Sequence, residues 1–327
     1  MKITIIGGSG FVGTNLCSLL HRLNYDFEII DLKISRQFPK KSKIGDVRNI
    51  DSLKETVTGD VVVNLAAVHR DDIRDKFEYQ QTNINGAKNV IRICTEKQIK
   101  KIIFTSTVAV YGFVQNSTDE SGEIKPFNEY GRTKFEAEEL LRTWMSGVGN
   151  SLIIIRPTVI FGEGNRGNVF NLFKQIASGK FLMVGSGKNK KSMAYIGNIV
   201  AFLEQCIVIE KKYSVYNYVD TPDISMKNLV SLVRETLFLK NVYGVRLPIW
   251  LGMMFGYFFD IVNKFSKKKF PLSSIRIKKF TSSTQFMTAK SDLNGFVAPF
   301  TLFQGIERTL ESEFISPDPK REIFFTE

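Results

Sequence analysis

Short runs of apolar, mostly β-branched residues recur through the first half of the chain, at Lys2–Ile6, Phe27–Ile30, Val61–Leu65, Lys101–Thr105 and Leu152–Arg156. Between them the apolar positions fall at helical spacing, for example over Gly13–Leu23 and Asn85–Lys97. Runs without polar alternation predict strands covered on both faces, because a half-solvated strand would carry a polar residue at every second position. Strands alternating with helices predict βαβ units, and so an α/β fold built on a doubly wound parallel sheet. Beyond about residue 160 the alternation loosens. A glycine-rich passage at 162–167, a loop "GSGKNKK" at 185–191 and helical windows near 168–178 and 225–238 follow. No internal repeat or low-complexity linker separates the halves, which predicts a lobe formed by insertions rather than an independent domain.

The segment "LPIWLGMMFGYFFDIVNKFSKKKFP" at 247–271 departs from this pattern, running from Pro248 to Phe265 almost without charge before it meets Lys267, Lys268 and Lys269. Gly252, Gly256, Asp260, Asn263 and Lys264 interrupt the roughly 20 apolar residues that a spanning helix needs, so a packed or interfacial helix is expected. Drawn as a helix, its apolar side chains from Trp250 to Phe265 cover an arc of roughly 200°, with Gly252, Gly256, Asp260 and Asn263 on the remainder. Two placements fit. One is a helix buried between lobe and sheet, with the glycines allowing close approach. The other is a membrane-docking helix over 248–265 that lies in a bilayer interface.

At 327 residues with 43% hydrophobic content the chain can bury a large core, and disorder is not expected. Its net charge of +12 predicts anionic company. No nucleic-acid module accompanies that charge, so a phosphorylated small molecule or an acidic lipid surface is expected and nucleic acid is not. Cys17, Cys94 and Cys206 show no CxxC spacing and only His21 and His69 are present, which argues against a disulfide framework or a metal centre. The opening "MKITIIGG" breaks too early for a signal peptide, and a cytoplasmic location is expected.

"ITIIGGSGFVG" puts Gly7, Gly10 and Gly13 at G-x-x-G-x-x-G spacing directly after a strand and at the start of a helix. Glycine there permits the tight turn, lets backbone approach a pyrophosphate and allows close helix–strand packing, while the helix N-terminus favours an anion. Asp31 ends the next strand, where a carboxylate would hold ribose hydroxyls and repel a 2′-phosphate. NAD is therefore expected over NADP, although Lys33 and Arg36 follow closely. Asp46 and Val47 in "GDVRN" fall where a third strand would meet the adenine ring, and Leu65, Ala66 and Ala67 in "NLAAV" supply small residues beside the cofactor phosphates. Residues 1–160 thus read mainly as a Rossmann-type NAD-binding domain, and 161–327 mainly as a smaller C-terminal substrate-binding lobe.

"FTSTVAVYG" at 104–112 precedes "YGRTK" at 130–134, and the four-residue spacing of Tyr130 and Lys134 puts both on one face of a helix. A phenol titrating near about 10 needs help to act as a base at neutral pH. A lysine cation one turn away stabilises the phenolate and moves that value down.

These residues together resemble the extended short-chain dehydrogenase/reductase family, the NAD-dependent epimerases and dehydratases. The resemblance implies Gly7, Gly10, Phe11, Val12, Gly13, Asp31 and Pro157 at the cofactor. It also implies Thr107, Tyr130 and Lys134 as the catalytic triad. Asn83 in "TNINGAKNV" matches the family's central-helix asparagine, and it is expected with Tyr130 and Lys134 to contact the cofactor. His69 and Asn168 match substrate positions, Lys191 stands where many relatives have arginine for a phosphate, and Arg276 is the expected second phosphate ligand. Dehydratases carry an Asp-Glu pair after the triad threonine, whereas this chain has Val108 and Ala109, so water elimination is disfavoured.

Blocks such as "IRPTVIFGEGNRGNVFNLFKQIASGKF" and "SSIRIKKFTSSTQF" are similar to bacterial 4-epimerases of undecaprenyl-diphosphate-linked N-acetylglucosamine. That resemblance implies a sugar-diphosphate substrate on a polyprenyl carrier, made for O-antigen and surface polysaccharide. It also implies peripheral contact at the inner face of the cytoplasmic membrane, with a homodimer as one assembly. A UDP-N-acetylhexosamine 4-epimerase or a UDP-4-keto-sugar reductase remains the alternative.

Overall fold

The computed structural model describes all residues except 71, 72, 74, 115, 116, 180, 239–245, 266–273, 289–294 and 327. The N-terminal half runs β1 (Lys2–Ile6), α1 (Phe11–Arg22), β2 (Asp26–Asp31), β3 (Ser42–Ile44), α2 (Ile50–Thr56) and β4 (Val61–Asn64). A short turn α3 (Phe77–Tyr79) passes through a π turn at Gln80–Asn85 into α4 (Gly86–Glu96). β5 (Lys101–Thr105), α5 (Glu129–Met145) and β6 (Ser151–Pro157) complete the repeat.

The second half contains β7 (Val159–Phe161), α6 (Asn168–Ala177), β8 (Met183–Val184), β9 (Lys190–Tyr195), α7 (Ile196–Val208), β10 (Tyr213–Tyr218), β11 (Asp220–Ser225) and α8 (Met226–Thr236). It continues through β12 (Arg246–Leu247), α9 (Ile249–Phe265), α10 (Ser274–Thr281) and α11 (Leu302–Leu310). The strand and helix windows expected in the first half all appear, with ends moved by a residue or two.

Seven strands form one sheet in the order β10-β6-β5-β4-β1-β2-β3, and every neighbouring pair is parallel. The uninterrupted apolar runs divide by parity between its two faces. Ile3, Ile5, Val61, Val63, Ile103 and Ile153 join α1 and α7 on one side. Ile6, Val62, Ile102, Phe104 and Ile154 meet α2, α4 and α5 on the other. These strands are thus mainly apolar on both faces, the pattern seen in the sequence, and the buried exceptions Thr4 and Glu28 bond to each other. The first of these cores continues without a break into α6, α8, β9 and α11, so sheet and lobe share one interior. The doubly wound parallel sheet is therefore as expected.

The lobe adds a three-stranded sheet, β11-β9-β7, in which β9 runs antiparallel to β11 and parallel to β7. β8 pairs with β12, and α9 packs against β8 and α10. A Cβ at Gly252 would meet Val184 at 2.6 Å, and one at Gly256 would meet the Ser274 backbone at 2.8 Å. The glycine stripe of α9 therefore faces the protein while Trp250, Phe255, Tyr257 and Phe258 face outward, so of the two placements the one with the apolar arc buried between lobe and sheet does not describe these rings. Lys267, Lys268 and Lys269 lie outside the described residues. Among the described residues, no helix is long and apolar enough to cross a membrane.

Candidate active site

A cleft of about 1050 Å³ runs along the C-terminal ends of β1, β2, β4, β5 and β6 and on between the sheet and the lobe. At one end Gly7 adopts φ +80°, and a Cβ there would stand 2.8 Å from the Ala66 nitrogen. Only glycine fits that approach of two strand ends. Gly10 caps α1 with extended backbone, and its amide donates to the Gly7 carbonyl at 3.2 Å. A Cβ on Gly13 would sit 2.5 Å from Gly7 O and from Gly8 Cα, so α1 can lie against β1 only with hydrogen at this position. The result is a bare backbone cradle at a helix N-terminus, lined also by Phe11 and Val12.

Asp31 closes this end. Its Oδ2 accepts from the Ser9 amide at 2.9 Å, and burial pushes its carboxyl above the usual range against the lowering effect of that amide. Asp46 accepts a forked bond from Arg48, whose Nη2 lies 2.7 Å from Oδ2. That guanidinium lowers the Asp46 carboxyl and fixes the turn that carries Val47 to the cleft wall. Leu65, Ala66, Ala67 and Pro157 line the wall between the two ends. The cradle, the acid beyond it and the small-residue wall fit a dinucleotide.

Midway along, Thr107, Tyr130 and Lys134 all line the cleft. Thr107 opens the 3-10 turn Val108–Tyr111, where its Oγ1 accepts from the Ala109 amide at 3.1 Å. Tyr130 and Lys134 sit in the first turns of α5, which Asn128 caps by accepting from the Gly131 amide at 2.9 Å. Lys134 is 1% exposed, and its Nζ lies 4.0 Å from the centre of the Phe104 ring. Burial pushes its ammonium down to about 7, with the Glu138 charge opposing that shift. The Thr105 and Ser106 hydroxyls, on the strand end beside Thr107, line the cleft and are buried with no hydrogen-bond partner among the described residues. Such groups are costly unless a bound molecule satisfies them, and both point to a ligand at this place.

A buried network stands behind these groups. Glu138, wholly buried, takes Nε and Nη2 of Arg156 at 2.9 and 2.6 Å. Arg156 Nη1 donates to the Tyr111 hydroxyl at 2.6 Å, and that hydroxyl donates to Asn217 Oδ1 at 2.8 Å.

At the far end the cleft is lined by Asn168, at the start of α6, and by Lys191 on β9. Lys191 Nζ donates to the Ser282 carbonyl at 2.7 Å, and burial pushes it down to about 8. Arg276 lies on α10, but its side chain is outside the described residues. Asn198, in α7, is buried and exchanges hydrogen bonds with the Phe300 backbone.

His69 reaches the cleft from the β4 end, with Nε2 3.1 Å from the Thr326 carbonyl. Asn83 does not line it. Its amide accepts from the Val68 N–H at 2.9 Å and donates to the Val68 carbonyl and Thr133 Oγ1, bracing the β4 loop against α5. The expected cofactor contact is thus a buried brace set in a π turn.

Sequence reasoning passed over Thr326, which lines the cleft because the C-terminal segment pairs with the loop after β7 through an Asn165–Phe324 bridge. No local signal announces a contact of that sequence separation. It also passed over Arg48, which stood in the quoted "GDVRN", and the tilted ring pair Phe113 and Phe127, 4.6 Å apart at the rim.

A parallel sheet with a glycine cradle at its first helix, and a Thr–Tyr–Lys set over the cleft, define an NAD-dependent enzyme of the extended short-chain dehydrogenase/reductase type. The chain belongs to the NAD dependent epimerase/dehydratase family, whose model matches residues 3–217. It is 49% identical over 320 residues to the N-acetyl-alpha-D-glucosaminyl-diphospho-ditrans,octacis-undecaprenol 4-epimerase of Escherichia coli O157:H7, covering 96% of each chain. It is 28% identical to the UDP-glucose 4-epimerase of Vibrio cholerae, covering 95% of each. In fold it resembles the UDP-N-acetylglucosamine 4-epimerase from Bacillus cereus, with a TM-score of 0.75 at 16% identity over 95% of this chain and 98% of that one. MoeE5, solved with UDP-glucose and NAD, gives a TM-score of 0.73 at 19% identity over 96% of this chain and 98% of that one.

Proposed function

We propose that this enzyme inverts C4 of N-acetylglucosamine carried on a polyprenyl diphosphate, yielding the N-acetylgalactosamine form at the inner face of the cytoplasmic membrane. The observation that carries the reading is full-length 49% identity to an enzyme named for that reaction, joined to a cleft that leads from the dinucleotide cradle past Tyr130 to Lys191.

Gly7, Gly10 and Gly13 would hold the pyrophosphate and Asp31 the adenosine ribose. NAD, when bound, supplies a reversible hydride acceptor for the C4 hydrogen. Tyr130, as phenolate, takes the proton of the C4 hydroxyl, and the Lys134 ammonium stabilises that phenolate. Thr107 donates a hydrogen bond to the same sugar oxygen as it becomes a carbonyl. With the 4-keto sugar turned over in the cleft, C4 would take the same hydride back on its opposite face while Tyr130 returns the proton to the oxygen, so neither oxidant nor reductant is consumed. Val108 and Ala109 supply no second acid–base pair beside Thr107, consistent with epimerisation without loss of water. Lys191 and Asn168 are the residues for the diphosphate. One lysine gives a point charge without arginine's fork, and a polyprenyl diphosphate has no nucleoside to orient.

The test is incubation of purified enzyme with N-acetylglucosaminyl-diphospho-undecaprenol and, separately, with UDP-N-acetylglucosamine. No reduced cofactor is added, and the released sugars are resolved chromatographically. Conversion of the lipid-linked sugar is expected. Conversion of the UDP-sugar alone overturns the proposed substrate, and a strict need for reduced cofactor overturns epimerisation in favour of a ketoreductase.

A further inference from the structure

We infer that α9 is an interfacial anchor that inserts its outward aromatic face into an anionic lipid bilayer, beside the phosphate end of the cleft. This deepens the proposed action on a lipid-borne sugar and rests on it for the choice of partner. A helix on a water-soluble surface turns its apolar residues inward and its polar residues outward. α9 does the reverse. Gly252, Gly256 and Asp260 form its inner stripe, and the Asp260 carboxylate accepts from the Ser274 amide at 3.2 Å. Trp250, Met254, Phe255, Tyr257, Phe258 and Ile261 point outward, with exposures between 41% and 69%.

Four observations favour a bilayer over a second copy of the chain. The single carboxylate of α9 is turned inward, so its outer face offers no negative charge to an acidic surface. The flanking elements present exposed cations, Arg246 on β12 and Lys278 on α10, on a chain of net charge +12. Trp250 and Tyr257 are the amphipathic rings that settle at the level of lipid headgroups. Finally, α9 adjoins the site through α10, which packs on it and leads to Ser282, whose carbonyl holds Lys191 in the cleft. Lys278 of α10 also lies 5.7 Å from the Phe113 ring, so the paired rings at the cleft rim continue the apolar surface inward from α9. A helix of 17 residues is too short to span and long enough to lie in the interface.

The experiment uses full-length enzyme and phosphatidylcholine vesicles with and without phosphatidylglycerol. In a Trp144→Phe background Trp250 is the only tryptophan, and brominated acyl chains in the anionic vesicles are expected to quench its emission. A Phe258→Ser/Ile261→Ser variant changes only exposed positions and is expected to sediment with anionic vesicles roughly tenfold less than wild type. It should turn over a short, water-soluble isoprenyl-diphosphate-linked N-acetylglucosamine at the wild-type rate. Absence of quenching overturns the proposal. So does undiminished vesicle binding by the double variant, and a smaller assembly of that variant than of wild type in gel filtration would make the face a subunit contact instead. Failure of wild type to convert any lipid-linked sugar while quenching persists would sink the proposed substrate and leave the anchor standing.

Discussion

Replacing Lys134 with methionine removes a cation that the fold holds at 1% exposure. Burial pushes its ammonium down to about 7, against a value near about 10.4 for an unfolded lysine. Between those limits the unfolded chain binds a proton that the folded chain does not, so stability rises with pH across this window. The cost of the lysine is complete below pH 7 and vanishes above about pH 10.4. At about 1.36 kcal/mol per unit it comes to about 5 kcal/mol at pH 6, about 3 at pH 8 and under about 1 at pH 10. Methionine has similar reach and no proton to lose.

The Lys134→Met variant should therefore unfold at higher urea than wild type at pH 6, and its advantage should shrink by about 4 kcal/mol on going to pH 10. Ligand-free protein unfolded in urea at pH 6, 8 and 10, followed by far-UV circular dichroism, measures this. Comparing variant and wild type at each pH cancels the titration of other groups. Contacts of the neutral amine shift the difference by a constant and leave its slope. A difference independent of pH would refute the reasoning, since it would mean that Lys134 keeps its proton throughout, with Glu138 outweighing desolvation. Turnover should be lost in the same variant, so the residue would trade stability for chemistry.

Tyr130→Phe should lower turnover by roughly 10²- to 10⁴-fold while NAD binding, read by calorimetry, stays near wild type; unchanged turnover would remove Tyr130 from the mechanism. Gly13→Ala forces a methyl to within 2.5 Å of Gly7 O and Gly8 Cα, and α1 must move off β1. A loss of about 1–3 kcal/mol, with a lower melting temperature and weaker NAD binding, is expected, and a variant that melts and binds as wild type would refute the close contact.

The parallel sheet was legible because strands covered on both faces are mainly apolar without alternation, and the cleft because its cradle and its Tyr–Lys pair are local in sequence. Features that depend on distant partners were not. Thr326 reaches the cleft only through pairing of the C-terminal segment near Asn165, and Asn83 turns away from it because a π turn aims its amide at Val68. β10, an edge strand reading "YSVYNY", mixes polar and aromatic residues and was hidden in the loosened second half. In α9 the two faces could be told apart, but not which was inward. Periodicity locates an apolar arc, whereas close approach at Gly252 and Gly256 decided the side that packs.

The relative placement of Thr107 and Tyr130 rests on one guanidinium, that of Arg156 in "IRPTVIFG", to which the sequence alone assigned no role. Arg156 leaves buried β6 and grips Glu138 on α5, one turn beyond Lys134. The same side chain donates to Tyr111, the last residue of the 3-10 turn that Thr107 opens. Helix and turn, which carry the two groups proposed to meet one sugar oxygen, are thereby tied to a common post inside the sheet. A buried ion pair is weak evidence for stability, because desolvation of both charges offsets most of their attraction. An apolar substitute could fill the space, but it would fix neither the rotation of α5 nor the turn at Thr107 by directed bonds. Glu138 also sets the field at Lys134, raising an ammonium that burial lowers. Position and protonation at the acid–base site thus share one support, and so Glu138 and Arg156 belong with the chemistry even though neither lines the cleft.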